Sequence, residues 1–328
     1  MRLLMLGGTE FVGRAIAEEG LARGWDVTVF HRGRHEPPQG AGSLHGDRTA
    51  EGGLKALEDG EWDAVVDTWS GAPSAVRDTA RLLEGRVARY VYISSRSVYR
   101  FPEPSGLGEE AEVVDGSPDD GEVDYAATKR GGELAALDVY GAGALLVRAG
   151  LILGPYENIG RLPWWLTRMA RGGDVLAPGP RDAGLQYIDV RDLAIWTLDA
   201  VERALGGPYD LVSPPGHTTM RELLQTCIDV TGASANLVWT APEKILEAGI
   251  EPWTDLPAWL PPGETYDMLH QGNVGKALSA GLRCRPVQET VADTWAWLQS
   301  IGGTAPQRPD RPVLGLAPEK ENEVLGSR

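Results

Sequence analysis

The 328-residue sequence predicts an α/β fold, a doubly wound parallel sheet with a smaller C-terminal region, on three observations. Short β-branched runs alternate with longer helical stretches over the first half. A glycine-rich turn follows the first of those runs directly. Beyond residue 150 the pieces shorten and are interrupted by proline, and eight of the eleven tryptophans fall there, from Trp164 to Trp297.

In chain order the strands are expected at 2–6, 26–30, 43–46, 64–67, 90–94 and 144–148, with helix-period apolar residues at 13–24 and 74–83. A later helix is expected over 219–231, started by Thr219 and stopped by Gly232. Composition narrows the function class. Thirty-one Lys and Arg against 47 Asp and Glu leave a net charge of −16. A surface of that sign repels phosphate backbones and anionic membranes, so neither nucleic acid nor a membrane is an expected partner. Cys227 and Cys284 lie far apart and outside any CxxC spacing, which suits two buried thiols in a reducing compartment. The first apolar run is too short for a secretory segment and no 18-residue apolar stretch occurs, so a soluble, cytoplasmic protein is expected.

The turn after the first strand reads Gly7-Gly8-Thr9-Glu10-Phe11-Val12-Gly13 and feeds a helical RAIAEEGLARG. A tight turn opening a helix offers free N–H groups and the positive end of the helix dipole to a pyrophosphate. The turn resembles the GGTGFIG loop of extended short-chain dehydrogenase/reductases, the NAD-dependent epimerase/dehydratase family, with Glu10 in place of the middle glycine. Its side chain is expected to point to solvent. The resemblance implies a Rossmann-type dinucleotide-binding domain over 1–155, to which later segments are free to return. It leaves 156–302 as mainly substrate-binding region and 303–328 as a Pro-rich, charged tail, either mobile or docked on a partner subunit. Gly7, Thr9, Glu10, Phe11, Val12 and Gly13 are the candidate cofactor loop. After the second strand stand His31, Arg32 and Arg34, where a cationic pair accommodates a ribose 2′-phosphate, so NADP is expected over NAD. The alternative for these arginines is a solvated surface. His31 and His35 have H-x-x-x-H spacing but no third ligand, and no metal site is expected. Asp47 resembles the family's adenine-facing position, and Asp67 and Thr68 should border the cofactor; either aspartate equally suits a cap or turn.

The stretch Tyr90-Val91-Tyr92-Ile93-Ser94-Ser95-Arg96-Ser97-Val98-Tyr99 precedes Tyr125-Ala126-Ala127-Thr128-Lys129. Residues four apart share a helix face, so a Lys129 ammonium beside the Tyr125 phenol stabilises its phenolate and makes it a proton donor and acceptor. Each has a structural alternative: Ser95 as a cap, Tyr125 as an amphipathic edge residue, Lys129 as an exposed charge. The resemblance implies that Ser95 bonds the reacting oxygen, Tyr125 passes the proton, and Lys129 also holds the nicotinamide ribose. It extends through Arg148-Ala149-Gly150, adding Ala149 and Gly150 to the cofactor set, and through Gln186-Tyr187-Ile188-Asp189.

Departures from the family pattern narrow the reaction. Leu151 stands where nucleotide-sugar enzymes carry an Asn, and Leu185-Gln186 where they carry Arg-Asp, removing polar groups a buried diphosphate needs. Arg96-Ser97 replaces the Asp-Glu pair of sugar dehydratases. The expected function is therefore an NADP-dependent reductase acting on a carbonyl, alcohol or imine of a non-nucleotide small molecule. Arg96, Tyr156, Trp164, Trp165 and Tyr187 are the candidate pocket; the tryptophans equally suit core packing. The alternatives are a nucleotide-sugar epimerase and a non-catalytic nucleotide-sensing or RNA-binding module. The acidic loop 102–124 reads either as a lid, which would disfavour anionic substrates, or as a solvated surface loop. The resemblance also implies a homodimer through the helix that begins at Tyr125.

Overall fold

The computed structural model describes residues 1–101, 106, 108–305, 307–308 and 311–326; parts of the acidic loop (102–105 and 107) and of the tail (306, 309–310, 327–328) lie outside the described residues. The first half alternates strand and helix: β1 (Arg2–Leu6), α1 (Phe11–Ala22), β2 (Asp26–His31), β3 (Gly42–His45), β4 (Trp62–Asp67), α2 (Pro73–Leu83), β5 (Val87–Ser95), α3 (Tyr125–Tyr140) and β6 (Leu145–Ala149). All six expected strands form, each within three residues of its expected ends. Then follow β7 (Ile152–Leu153), α4 (Arg161–Ala170), β8 (Gly173–Pro178), β9 (Ile188–Asp189), α5 (Val190–Glu202), β10 (Gly207–Leu211), α6 (Met220–Thr231) and β11 (Ala235–Thr240). The chain continues through α7 (Pro242–Glu247), α8 (Glu264–His270), α9 (Gly275–Ser279), α10 (Val287–Ser300) and α11 (Pro318–Gly326).

Seven strands form one sheet in the order β3-β2-β1-β4-β5-β6-β10, every neighbouring pair parallel. Successive side chains point to opposite faces, and both faces are covered. Leu3 and Met5 enter one core with Ile16 of α1 and Leu193 and Trp196 of α5. Leu4 and Leu6 enter another with Val76 and Ala80 of α2 and Ala135 and Ala136 of α3. The strand order reverses between β1 and β4, which opens a crevice at the carboxyl ends of the strands.

Two elements from beyond residue 155 complete this domain. Strand β10 pairs with β6 from Gly207↔Leu145 to Leu211↔Ala149, and α5 lies against α1. A third core joins α4, α6 and α10 around Trp165, Met169, Leu224 and Val291. Helix α6 begins in a capping box, with Thr219 and Glu222 satisfying each other's backbone N–H, and stops at left-handed Gly232. Among the described residues no helix is long and apolar enough to cross a membrane.

Part of the described tail, helix α11, packs on its own chain. Glu321 of α11 is buried, accepts from Arg168 Nε at 2.7 and 2.9 Å, and accepts the Leu176 N–H at 3.1 Å. Removing one partner of a buried ion pair strands the other charge. Glu321→Ala should lower stability by about 3 kcal/mol or more, read from the urea midpoint, and open the tail to limited proteolysis. An unchanged midpoint would show that the pair contributes nothing.

Candidate active site

The glycine loop is shaped by two contacts. Gly7 takes φ +84°, and its N–H donates to the Phe30 carbonyl at 3.0 Å. A Cβ on Gly13 would sit 1.9 Å from the Gly7 carbonyl oxygen, so only glycine allows α1 to start this close to β1. Thr68 fastens the end of β4 to the loop, its hydroxyl donating to the carbonyls of Leu6 and Gly7 at 2.9 and 3.0 Å. Between the two glycines, Thr9 and Glu10 lead into α1, Phe11 is buried, and Val12 packs partly buried against the core.

Helix α1 has no side-chain cap, so its first N–H groups stay open, as a pyrophosphate site requires. The Glu10 carboxylate is half-exposed but does not point free into solvent. It accepts from Asn158 Nδ2 at 3.0 Å and lies 3.7 Å from His35 Nε2. Open N–H groups, a cradle that a Cβ would fill and a diverted carboxylate together fit a dinucleotide.

Arg32 and Arg34 are exposed at the end of β2 and within electrostatic range of Asp47. Asp47 is held below the ordinary carboxylate range, chiefly by the N–H and hydroxyl of Thr49 and then by those two arginines. Ala149 pairs in register with Ser95, and Gly150 donates to Leu211 O, so both lie where β6 meets its neighbours.

Two expected cofactor contacts turn inward instead. Asp67 is fully buried: Arg48 donates to its two oxygens at 2.6 and 2.7 Å, Tyr90 Oη at 2.7 Å and the Trp69 N–H at 2.9 Å. Burial alone would raise this carboxyl, but Arg48 and the donors hold it below its usual range. His31 is also buried, bonded through Nε2 to Ser43 Oγ of β3 at 2.8 Å and accepting on Nδ1 the N–H of Gly33 in its own following turn at 3.2 Å, so both ring nitrogens are occupied.

Helix α3 carries two further candidate residues, Tyr125 and Lys129. Asp124 caps it by accepting the N–H groups of Ala126 and Ala127 at 2.9 and 3.0 Å. Gly132 lets it close on β5, since a Cβ there would meet the Tyr92 ring at 2.4 Å. Lys129 consequently reaches the carboxyl end of β5, where its Nζ donates to Ile93 O at 2.8 Å and to Trp69 O at 2.7 Å, 4.9 Å from the Tyr92 ring centroid. An ammonium has three donors, so one remains. Lys129 is only 4 % exposed, and desolvation pushes it down to about 7 despite the pull of Asp67.

Tyr125, one turn earlier, is 41 % exposed, and its hydroxyl has no hydrogen-bond partner among the described residues. Ser95 ends β5, against whose following turn α3 packs. Its hydroxyl accepts the Ser97 N–H and donates to Ser97 Oγ, both at 3.1 Å, and so caps that turn in this conformation.

The expected pocket is largely core. Trp165 has no exposure and donates to Pro257 O; Tyr187 is 1 % exposed beneath His217. Arg96 is buried, donating to the carbonyls of Met268 and Leu269 beside Asp210. Tyr156 packs between Arg14 and Trp297. Of the five, Trp164 alone keeps a position beside the tail, against Gly315. Described residues of the acidic loop are tied to the domain: Glu109 Oε1 accepts the Asp210 N–H, Asp119 pairs with Arg77 and Glu112 with Arg100. Sequence reasoning missed Arg161 and Arg311, which lie beside Tyr125. Neither belongs to a motif, and Arg311 comes from a segment without periodicity.

The profile of the NAD dependent epimerase/dehydratase family matches residues 3–210, more than half of the chain. The chain belongs to that family. Within curated proteins it is similar to the 2-alkyl-3-oxoalkanoate reductase of Stenotrophomonas maltophilia (strain K279a), 30 % identical over 259 residues, covering 71 % of this chain and 76 % of that protein. Family members among solved structures share the fold. The UDP-N-acetylglucosamine 4-epimerase of Bacillus cereus superposes with a TM-score of 0.67 at 16 % identity, covering 91 % of this chain and 99 % of its own. The UDP-glucose 4-epimerase of Thermus thermophilus, solved in complex with NAD, gives 0.62 at 21 % identity with the same coverage.

The buried lysine has a measurable consequence. An unfolded chain keeps the Lys129 proton up to the ordinary value of 10.5, while the folded chain releases it near 7. Between those values the unfolded state binds more protons, so stability rises with pH; below 7 the whole cost of burying the charge is present. From pH 7 to 9 the protein should gain about 2 kcal/mol relative to Lys129→Met in urea titrations. Parallel pH curves for the two proteins would remove the buried titration.

Proposed function

We propose that the protein is an NADP-dependent reductase acting on the carbonyl, or in reverse the alcohol, of a small molecule that carries no nucleotide. One observation carries the reading: Lys129 is pinned to the carbonyls of Ile93 in β5 and Trp69 after β4, one helical turn from an exposed Tyr125 whose hydroxyl has no partner among the described residues. The loop Gly7–Gly13 and the start of α1 would hold the pyrophosphate, with Arg32 and Arg34 meeting a 2′-phosphate at the end of β2. The bound nicotinamide would supply or accept the hydride. Tyr125 delivers its phenolic proton to the substrate oxygen as negative charge develops there. The remaining Lys129 donor would serve the phenolate or the cofactor ribose, and Ser95 would bond the same oxygen once its hydroxyl turned from Ser97.

The name of the Stenotrophomonas relative, a 3-oxoalkanoate reductase, supports carbonyl chemistry. The positions where a sugar nucleotide would need polar groups support a substrate without one. Leu151 and Leu185 are buried, and Gln186 closes on Ser213 O and Gly272 O at 2.7 and 3.0 Å, leaving no free donor for a diphosphate. A non-catalytic role leaves the costly burial of Lys129 without a purpose.

Tyr125→Phe should lower NADPH-dependent carbonyl reduction by roughly 10² to 10⁴ while cofactor affinity stays within a few-fold. Undiminished turnover would take Tyr125 out of the mechanism. NADPH should bind at least about tenfold more tightly than NADH, and Arg32→Ala with Arg34→Ala should narrow that ratio. Equal affinities in the unaltered protein would reject the NADP assignment.

A further inference from the structure

One residue of the tail, Arg311, reaches the Tyr125 ring. The Arg308 N–H donates to Asn158 O at 3.3 Å, and the Gly315 N–H to Thr254 O at 2.9 Å, with the Trp164 indole packed on Gly315. Asn158 is the residue that holds Glu10, so the strap is tied to the glycine loop through one side chain. Between its two anchors the Arg311 guanidinium stands 5.4 Å from the centroid of the Tyr125 ring. Among the described residues it has no carboxylate partner.

Arg161, the first residue of α4, is within electrostatic range of both Tyr125 and Arg311. Its Nε is buried without an acceptor, and its guanidinium forms no ion pair among the described residues. The nearby acid, Glu157, uses its two oxygens on the N–H groups of Arg161 and Leu162, at 2.7 and 3.1 Å. What Arg161 meets instead is an aromatic face, the Trp253 ring, 5.5 Å from centroid to guanidinium. In a chain with 47 acidic side chains against 31 basic ones, two arginines stand at one place without an ion pair among the described residues, Arg161 being supported only at range by Glu157. They repel one another until an anion comes between them. A planar guanidinium fork fits a carboxylate by two parallel hydrogen bonds.

We propose that Arg161 and Arg311 form a clamp for a carboxylate carried by the substrate, setting its carbonyl at the Tyr125 hydroxyl; which molecule bears that carboxylate rests on the reductase reading. The substrate class is then a carbonyl acid, such as a 3-oxo acid. The two arginines act on selectivity, not on proton transfer.

The test is calorimetric titration of the full chain with 3-hydroxyoctanoate and with its uncharged amide. The carboxylate should bind at least about tenfold more tightly than the amide. Arg311→Ala and Arg161→Met should each weaken the carboxylate by roughly 10- to 100-fold, leave the amide within about threefold and so erase the preference. Arg161→Lys, which keeps the charge but loses the fork, should fall between. Arg311 is exposed, and melting temperatures identify any variant that fails to fold. Equal binding of acid and amide, binding of neither, or parallel losses for both would overturn the clamp. None of these readouts passes through turnover. A protein that discriminates the carboxylate yet reduces no 3-oxo acid with NADPH would keep the clamp and lose the reductase reading.

Discussion

The buried carboxylate of Asp67 is the contact on which the rest of the site depends. Its four donors come from Arg48, Tyr90 and the backbone of Trp69, and they offset a desolvation cost that an isolated charge at that depth would not survive. Because the Trp69 N–H is fixed by Asp67, the Trp69 carbonyl is fixed as well, and it receives both Lys129 and Tyr92. A residue outside direct reach of the crevice thus sets where the ammonium stands. The same carboxylate is the foremost influence keeping the Lys129 proton in place against burial. Asp67 is a positioning residue, and its conversion from expected ligand to internal anchor changes how the site is understood.

Much of this architecture was legible from the sequence because parallel strands covered on both faces are written as unbroken apolar runs. The strands through β6 and the helices α1, α2 and α6 follow from periodicity and caps. Strand β10 was not foreseen: Gly-Pro-Tyr-Asp-Leu has no β-branched residue, and it forms because β6 offers an edge. That Tyr125 and Lys129 fall on one helix, one turn apart, was readable from their spacing, but the Lys129 bonds to Trp69 O and Ile93 O were not. The inward residues were misread because a motif gives position along a strand but not direction. Asp67 shares the face of Val65, toward α2 and α3, while Thr68, the next residue, bonds the glycine loop. Trp164 and Trp165 likewise differ by one helix step, which separates the tail-facing ring from the core.

The tail illustrates another limit. Its prolines and charges have the composition of a loose segment, yet Glu321 finds Arg168 153 residues away. No local pattern announces such a pair; it exists only once α4 and β8 have been assembled. Arg311 reaches Tyr125 from the same tail, between backbone bonds of Arg308 to Asn158 and of Gly315 to Thr254, contacts likewise distant in sequence.

The return of α5 and β10 to the first domain bears on how the polypeptide acquires its shape. A fragment stopping near residue 155 would leave β6 with an unpaired hydrogen-bonding edge and the Leu3 and Met5 face without the Leu193 and Trp196 that seal it. Such an edge is a template for self-association. During synthesis the nascent chain therefore has to carry an unfinished sheet until Leu211 has emerged, and the intervening substructure must form while that sheet is still open.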